Sequence, residues 1–240
     1  MNVLRELRQY PSVAAGILII GALIALAIYT LIAMPYGEAV RLWRGGEEVW
    51  QDYPKTARPE WFNVFAREKM PKTIVLNSQD GTAEKAVKQS PGVTDVWIDF
   101  TFDFTADTFP QELSLFTRSA FKQKQPFVEM LWLTPDGREI RLGDFNSKAV
   151  DAYRFETDDR LVRRLKGVAP QQALFADPAS ETPRPLKGAY TLRVMGLLFE
   201  DGADFDAKFV AYGQVHGVAG TDHRRRDLTV ALMWGTPIAL

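Results

Sequence analysis

The chain contains no cysteine and only two histidines, His216 and His223, among 240 residues. Without thiols there is no disulfide, no thiolate metal site and no cysteine nucleophile. With both imidazoles in the closing segment, a Ser-His-Asp triad or a histidine-rich metal site would have to be assembled there. Excess charge is also missing. Lys and Arg number 29 against 30 Asp and Glu, a net charge of −1. A nucleic-acid partner needs a basic face to neutralise phosphates, so it is not expected. There is no phosphate-binding glycine loop, no G-x-S-x-G elbow and no H-E-x-x-H pair. These absences point away from an enzyme and from any cofactor.

What is present begins with a run from Ser12 to Met34, SVAAGILIIGALIALAIYTLIAM, without a charged residue. At about 1.5 Å of rise per residue it is long enough to cross roughly 30 Å of hydrocarbon. Pro11 suits a first turn, Pro35 stops the run, and Tyr10 and Tyr36 bracket it at interfacial depth. A cleaved signal peptide would have a shorter core and a small-x-small site, so a retained membrane helix over 12–34 is expected. Arg5 and Arg8 before it are nearly balanced by Arg41 and Arg44 after it, so basic residues alone do not set its orientation. Gly16, Gly21 and several alanines permit close packing against a neighbouring helix.

Residues 35–70 read as a juxtamembrane linker, with Trp43, Trp50, Trp61, Phe62 and Phe65 interspersed among charges. EWFNVFAREKM predicts a short helix whose aromatic face would rest on lipid headgroups or pack on the following domain. Residues 71–215 predict a β-rich domain. Val96, Ile98, Phe100, Phe102 and Phe104 alternate with polar residues, the period of a half-buried strand. PFVEMLWL and REIRL flank Thr134-Pro135-Asp136-Gly137, a hairpin signal. GAYTLRVMGLLF and AKFVAYGQV read as strands that pair across EDGADFD; TIVL and DAYRFET are further strand candidates. GTAEKAVKQ, FPQELSLFTRSAF and DDRLVRRLKG read as helices, the last ending at Gly167. The expected fold is therefore an N-terminal transmembrane α-helix followed by an antiparallel β-sandwich-like, α+β decorated domain.

Two acidic groups invite a metal reading: Asp95, Asp99 and Asp103 on one strand, and Asp201, Asp204 and Asp206 in one loop. Neither has the spacing of a calcium loop, and both read as solvated carboxylates, so no metal is expected.

The closing segment, HGVAGTDHRRRDLTVALMWGTPIAL, joins a polar knot to an apolar run. Gly217 and Gly220 permit turns, and Thr221 or Asp222 would cap a helix beginning near His223. The apolar run is too short to span a bilayer. It reads as the start of a second membrane helix, or as an amphipathic helix lying on headgroups.

This segment resembles the signature of the dipeptide, oligopeptide and nickel class of ABC importer permeases, H-x-L-G-T-D-x-x-G-R-D-v-x-s-r-x-x-y-G-x-r-x-S-L. Gly220, Thr221, Asp222, Arg226, Asp227, Gly235 and Leu240 match without gaps, Trp234 takes the aromatic position, and His216 is offset by one residue. Arg225 stands at a glycine of the pattern, and Pro237 and Ala239 replace arginine and serine. The opening LRELRQYPSVAAGILIIGALIALAIY is similar to the first helix of these subunits. The resemblance covers roughly the first 40 and last 25 residues. It implies a bacterial inner-membrane subunit with residues 1–11 cytoplasmic and the β domain an extracytoplasmic insertion. Its partners would be a second permease subunit, ATP-binding subunits and an extracytoplasmic solute-binding protein, with peptides or similar solutes as cargo. The family's other helices and its coupling loop would lie beyond Leu240, implying an N-terminal fragment. Asp222, Arg226 and Asp227 would cap and pair at the mouth of the second helix. The alternative is a single-pass membrane-anchored β-sandwich serving interaction or adhesion.

Overall fold

The computed structural model describes residues 10–240; Arg5, Arg8 and the rest of 1–9, most of the expected cytoplasmic stretch, lie outside the described residues. The charge-free run forms one helix, α1 (Pro11–Ala33), 23 residues long with Pro11 in its first turn. At 1.5 Å per residue that is about 35 Å, sufficient to cross a bilayer. Its large side chains, from Leu18 to Ile32, are almost all exposed, whereas Ala27 and Thr30 are buried. Two short helices follow, α2 (Tyr36–Arg44) and α3 (Glu47–Trp50), and then a single turn, α4 (Phe62–Phe65).

Among the described residues nine strands form two antiparallel sheets that face each other. They are β1 (Ile74–Asn77), β2 (Glu84–Ser90), β3 (Val93–Phe104), β4 (Glu112–Ala120), β5 (Phe127–Leu133), β6 (Glu139–Asn146), β7 (Val150–Arg154), β8 (Gly188–Leu198) and β9 (Asp204–Tyr212). One sheet has the order β1-β9-β4-β7 and the other β2-β3-β8-β5-β6. The fold is a β-sandwich preceded by an apolar helix. The alternation read in β3 becomes its inner face, with Val96, Ile98, Phe100, Phe102 and Phe104 all buried. Across the layers Phe102 stacks on Phe209 at 5.8 Å, and Trp132 meets Phe209 edge-on at 6.0 Å. The polar tips in this core are satisfied: Trp132 Nε1 donates to the Leu174 carbonyl (3.1 Å) and Tyr190 Oη to that of Leu186 (2.7 Å). Each such buried side chain contributes about 1.5–3 kcal/mol of hydrophobic free energy before entropy is set against it. The β5–β6 turn closes through Gly137, at φ +82°, whose N–H bonds the Thr134 carbonyl at 2.9 Å.

Three expectations about the strands are corrected. GTAEKAVKQ is not helical: Glu84–Ser90 is strand β2, paired with β3 from Glu84↔Asp99 to Ser90↔Val93. Its Ala, Glu and Lys favour helix intrinsically, but a tight turn at Gly92 (φ +79°) and the long partner strand override that preference. FPQELSLFTRSAF is also a strand, β4, lying between β9 and β7. Its inner face continues past Leu113 and Leu115 with Thr117 and Ser119, so the apolar alternation fades midway. Both hydroxyls lie 2.9 Å from Ser147 Oγ, which lets them be buried. Finally, β8 and β9 do not pair. β8 lies between β3 and β5, whereas β9 lies between β1 and β4 in the opposite layer. The connection between them crosses the sandwich, and Gly196 allows close approach: a Cβ there would sit 3.2 Å from the Phe205 ring.

Two α-helical pieces lie between β7 and β8. In α5 (Asp159–Arg164), the helix expected from DDRLVRRLKG, Asp158 caps the first turn by accepting from Arg160 and Leu161 N–H, and the chain leaves through Gly167 at φ +81°. A single turn, α6 (Pro170–Ala173), follows. The last helix, α7 (Leu228–Ala239), does not begin near His223 as expected. Residues 221–227 instead form a loop closed by a Thr221↔Asp227 bridge, and Asp227, not Thr221 or Asp222, caps the helix through Thr229 N–H at 2.7 Å.

Candidate functional site

The polar knot, the juxtamembrane linker and the ends of α1 and α7 meet at one place. Thr221 is buried there; its hydroxyl donates to the Pro54 carbonyl (2.6 Å) and accepts from Ala57 N–H (3.0 Å). The Thr221 N–H also reaches the Ala57 carbonyl at 3.1 Å. Gly220 has φ +76°, and a Cβ on it would lie 2.3 Å from the Ala57 carbonyl oxygen. Positive φ and absence of space both demand glycine here. Two chain segments about 160 residues apart are thus laced into one backbone unit.

Three charged residues lock the loop. Asp222 accepts from the N–H groups of Arg224 (2.8 Å) and Arg226 (2.9 Å) and from Arg226 Nε (2.8 Å). Burial alone would push its carboxyl up, but those donors and the guanidinium outweigh it and hold the carboxyl below its ordinary range. The Arg226 guanidinium carbon lies 3.9 Å over the Trp43 ring, joining the loop to α2. Arg225 adopts φ +65°. Its guanidinium lies 4.0 Å over the Tyr212 ring, donates to the Tyr53 carbonyl at 2.7 Å and pairs with Glu112. His216 packs against the Tyr53 ring at 4.2 Å, with Nε2 3.9 Å from Asp227 Oδ2. Burial, with Asp227 and Asp52 nearby, pushes the Tyr53 phenol up. Burial likewise raises the Tyr212 phenol to about 12, and Tyr212 Oη donates to the Gln51 carbonyl at 2.5 Å.

Beneath the knot, Ala39, Trp50 and Val230 form a second small core with Met34, Trp43, Tyr53 and Trp234 around it. Tyr36 meets Trp234 edge-on at 5.1 Å, and Trp50 Nε1 donates to the Leu42 carbonyl at 2.8 Å. Thr30 Oγ1 lies 3.3 Å from the Met233 carbonyl, so α7 rests on α1. Gly235 lies in α7 with open space around its Cα. Of the signature residues, Gly220, Thr221, Asp222, Arg226 and Asp227 come together in the knot, and Gly235 stands apart from it.

The sequence reading did not anticipate that Arg225, Tyr212 and Glu112 form one unit, because they are joined only through tertiary structure. The Trp and Tyr residues at 43, 50 and 53 were the available signal for the small core.

One carboxylate of the first acidic group and two of the second have cationic partners. Asp99 makes a two-pronged pair with Arg193 (2.8 and 2.7 Å), and Lys85 sits between Asp204 (3.0 Å) and Asp206 (2.8 Å). Among the described residues no cluster of three or more His, Asp or Glu is arranged to hold a metal. Beside the knot, the outer face of the four-stranded sheet and the linker enclose an open groove of about 750 Å³, lined by Gln51, Phe116, Arg118, Ala152, Lys208 and Tyr212 among others. The cations at its base are engaged: Lys208 pairs with Asp52 at 2.5 Å and Arg225 with Glu112.

No known family model matches the chain, and no curated protein matches it. Among solved structures, a carbohydrate-binding module in complex with β-1,4-galactotriose aligns with 9% identity over 65% of this chain and 92% of its own, with a TM-score of 0.25. A second, from work on promiscuous carbohydrate-binding modules of the β-sandwich superfamily, aligns with 8% identity over 66% of this chain and 61% of its own, with a TM-score of 0.27.

Proposed function

We propose that this chain is a non-enzymatic, membrane-anchored interaction module. Its β-sandwich is held on the extracytoplasmic side of a bacterial inner membrane and fixed rigidly to a pair of apolar helices. The observation that carries this reading is the lacing at Thr221, where the segment entering α7 is bonded to the linker leaving α1. A sandwich on a flexible tether needs no such seam. One built into a knot that also caps the second helix transmits position between the helices and whatever the sandwich binds. The knot's polar groups are spent on backbone and ion-pair contacts, which supports a holding role over a chemical one.

A more specific reading is that the module belongs to an ABC importer permease of the peptide and nickel class, working with a second permease subunit, ATP-binding subunits and a solute-binding protein. Two features favour it. Arg225 takes a positive φ at the position where the signature has glycine, and α7 runs directly from the signature onto α1. Both readings are tested by purifying the tagged chain in mild detergent from its native membrane and identifying what accompanies it. Co-purification of an ATP-binding subunit and a second permease supports the importer. Recovery with extracytoplasmic proteins and no ATPase leaves the interaction module and removes the importer. Recovery from the soluble fraction removes both.

A further inference from the structure

The turn α4 and its flanks form an apolar prominence that the sandwich does not cover. Trp61, Val64 and Phe65 are 51%, 73% and 81% exposed, Phe62 is also exposed, and Val218 beside them is 72% exposed. Exposing so many large apolar side chains together marks an interaction surface. The backbone beneath is held firmly. Asn63 bonds both the N–H and the carbonyl of Met70, each at 2.9 Å, and Lys69 Nζ reaches the carbonyls of Asn63 (2.5 Å) and Ala66 (3.3 Å).

We infer that this prominence inserts into the headgroup boundary of the bilayer that α1 crosses. The inference rests on the membrane-anchored reading above, and its position carries it. Trp61 Nε1 donates to the Val218 carbonyl (3.1 Å), and Glu60 N–H donates to that of Gly217 (2.9 Å). A Cβ on Gly217 would lie 3.6 Å from the Asp227 carboxylate that caps α7. The prominence is therefore pinned to the entry point of α7. That point has a definable depth. Thr30 faces Met233, while Met34 and Ala39, further along the chain, share a small core with Val230. The two helices thus run in opposite directions. Asp227 precedes Met233 by six residues, about 9 Å of helix, while α1 continues only about 5 Å past Thr30. The α7 cap, and the prominence attached to it, lie a few ångströms beyond the end of α1, at headgroup level. Tryptophan and phenylalanine favour that depth. The prominence would act as a second foot, limiting how far the sandwich can tilt about the helix pair.

The chain has no cysteine, so single labels can be placed cleanly. Three variants, Phe65→Cys, Ile20→Cys and Val150→Cys, each carry an environment-sensitive fluorophore. The full chain is reconstituted in phosphatidylcholine–phosphatidylglycerol vesicles, with nitroxides on lipid headgroups or deep in the acyl chains. The expected result is that the Phe65 label loses most of its emission to headgroup nitroxides and little to aqueous iodide. The Ile20 label should respond to the deep nitroxides, and the Val150 label to iodide alone. A Phe65 label quenched by iodide, with Ile20 still quenched by lipid, overturns the insertion and leaves the anchor standing. A Phe65 label shielded from both quenchers overturns it in favour of a protein cover. An Ile20 label that no lipid nitroxide quenches overturns the anchor and the insertion together.

Discussion

At Arg225 two demands oppose each other. A side chain at φ +65° carries a backbone penalty that glycine would not, yet the guanidinium fills a slot between Tyr212, Glu112 and the Tyr53 carbonyl. Replacing it with alanine removes those contacts and keeps the strain, whereas glycine removes both. The Arg225→Ala variant should lose about 2–3 kcal/mol of stability and Arg225→Gly about 1 kcal/mol less, by urea unfolding in detergent. The usual ranking, in which glycine is the more damaging replacement, would then be reversed. Gly220→Ala should be worse than either, above about 3 kcal/mol, because its Cβ meets the Ala57 carbonyl oxygen at 2.3 Å. The same loop sets a pH response. The Asp222 carboxyl is held low by Arg226 and backbone N–H groups in spite of its burial, so its contribution is complete above the ordinary carboxylate pKa and disappears as pH falls through the lowered value. The Tyr212 phenol acts at the other end. Its proton is retained to about 12 in the folded chain, so stability should decline as pH rises from about 10, the unfolded value, to 12. Ultraviolet titration of tyrosine ionisation alongside unfolding at each pH checks both limbs.

At the scale of elements, legibility in the sequence follows how much of an element's pattern is set locally. α1 is explicit because a run of twenty-three uncharged, mostly apolar residues needs no partner to be read as a helix. β3 is explicit because its inner face is uniformly apolar. β4 is not, because Thr117 and Ser119 occupy inner positions on the strength of Ser147, about thirty residues away. β2 is not, because its residues are helix formers held extended by β3. β8 and β9 are neighbours in sequence but lie in different sheets, the less common case, so their partners are not legible locally. The start of α7 is not legible because Asp222 and Asp227 are equally good caps by residue type, and only the loop geometry separates them. Asp227→Ala should therefore cost about 1 kcal/mol and fray α7, seen as faster amide exchange over Leu228–Leu232, while Asp222→Ala should instead loosen the loop. In the sandwich itself, Trp132→Ala removes the ring that meets Phe102, Phe175, Tyr190 and Phe209, and a loss of about 3–5 kcal/mol is expected by near-ultraviolet dichroism.

For the whole molecule, the arrangement is a sandwich whose base is continuous with its support. The linker after α1, the outer face of β9 and the loop before α7 share one set of contacts: Tyr212 with Gln51, Lys208 with Asp52, Thr221 with Pro54 and Ala57. Gly220, Thr221, Asp222, Arg226 and Asp227, singled out by the resemblance, all lie in this loop or at its edge, while the linker side of the seam carries no pattern beyond its aromatic density. Such a base joins the sandwich to the helix pair through backbone and side-chain bonds, as the proposed holding role requires. The proposal that α1 crosses a bilayer with the sandwich on its outer side is tested by Val150→Cys, on the exposed edge strand β7 of an otherwise cysteine-free chain. Intact spheroplasts are treated with a membrane-impermeant maleimide. Full labelling without permeabilisation is the expected result, and labelling that appears only after the membrane is opened would contradict the proposed orientation.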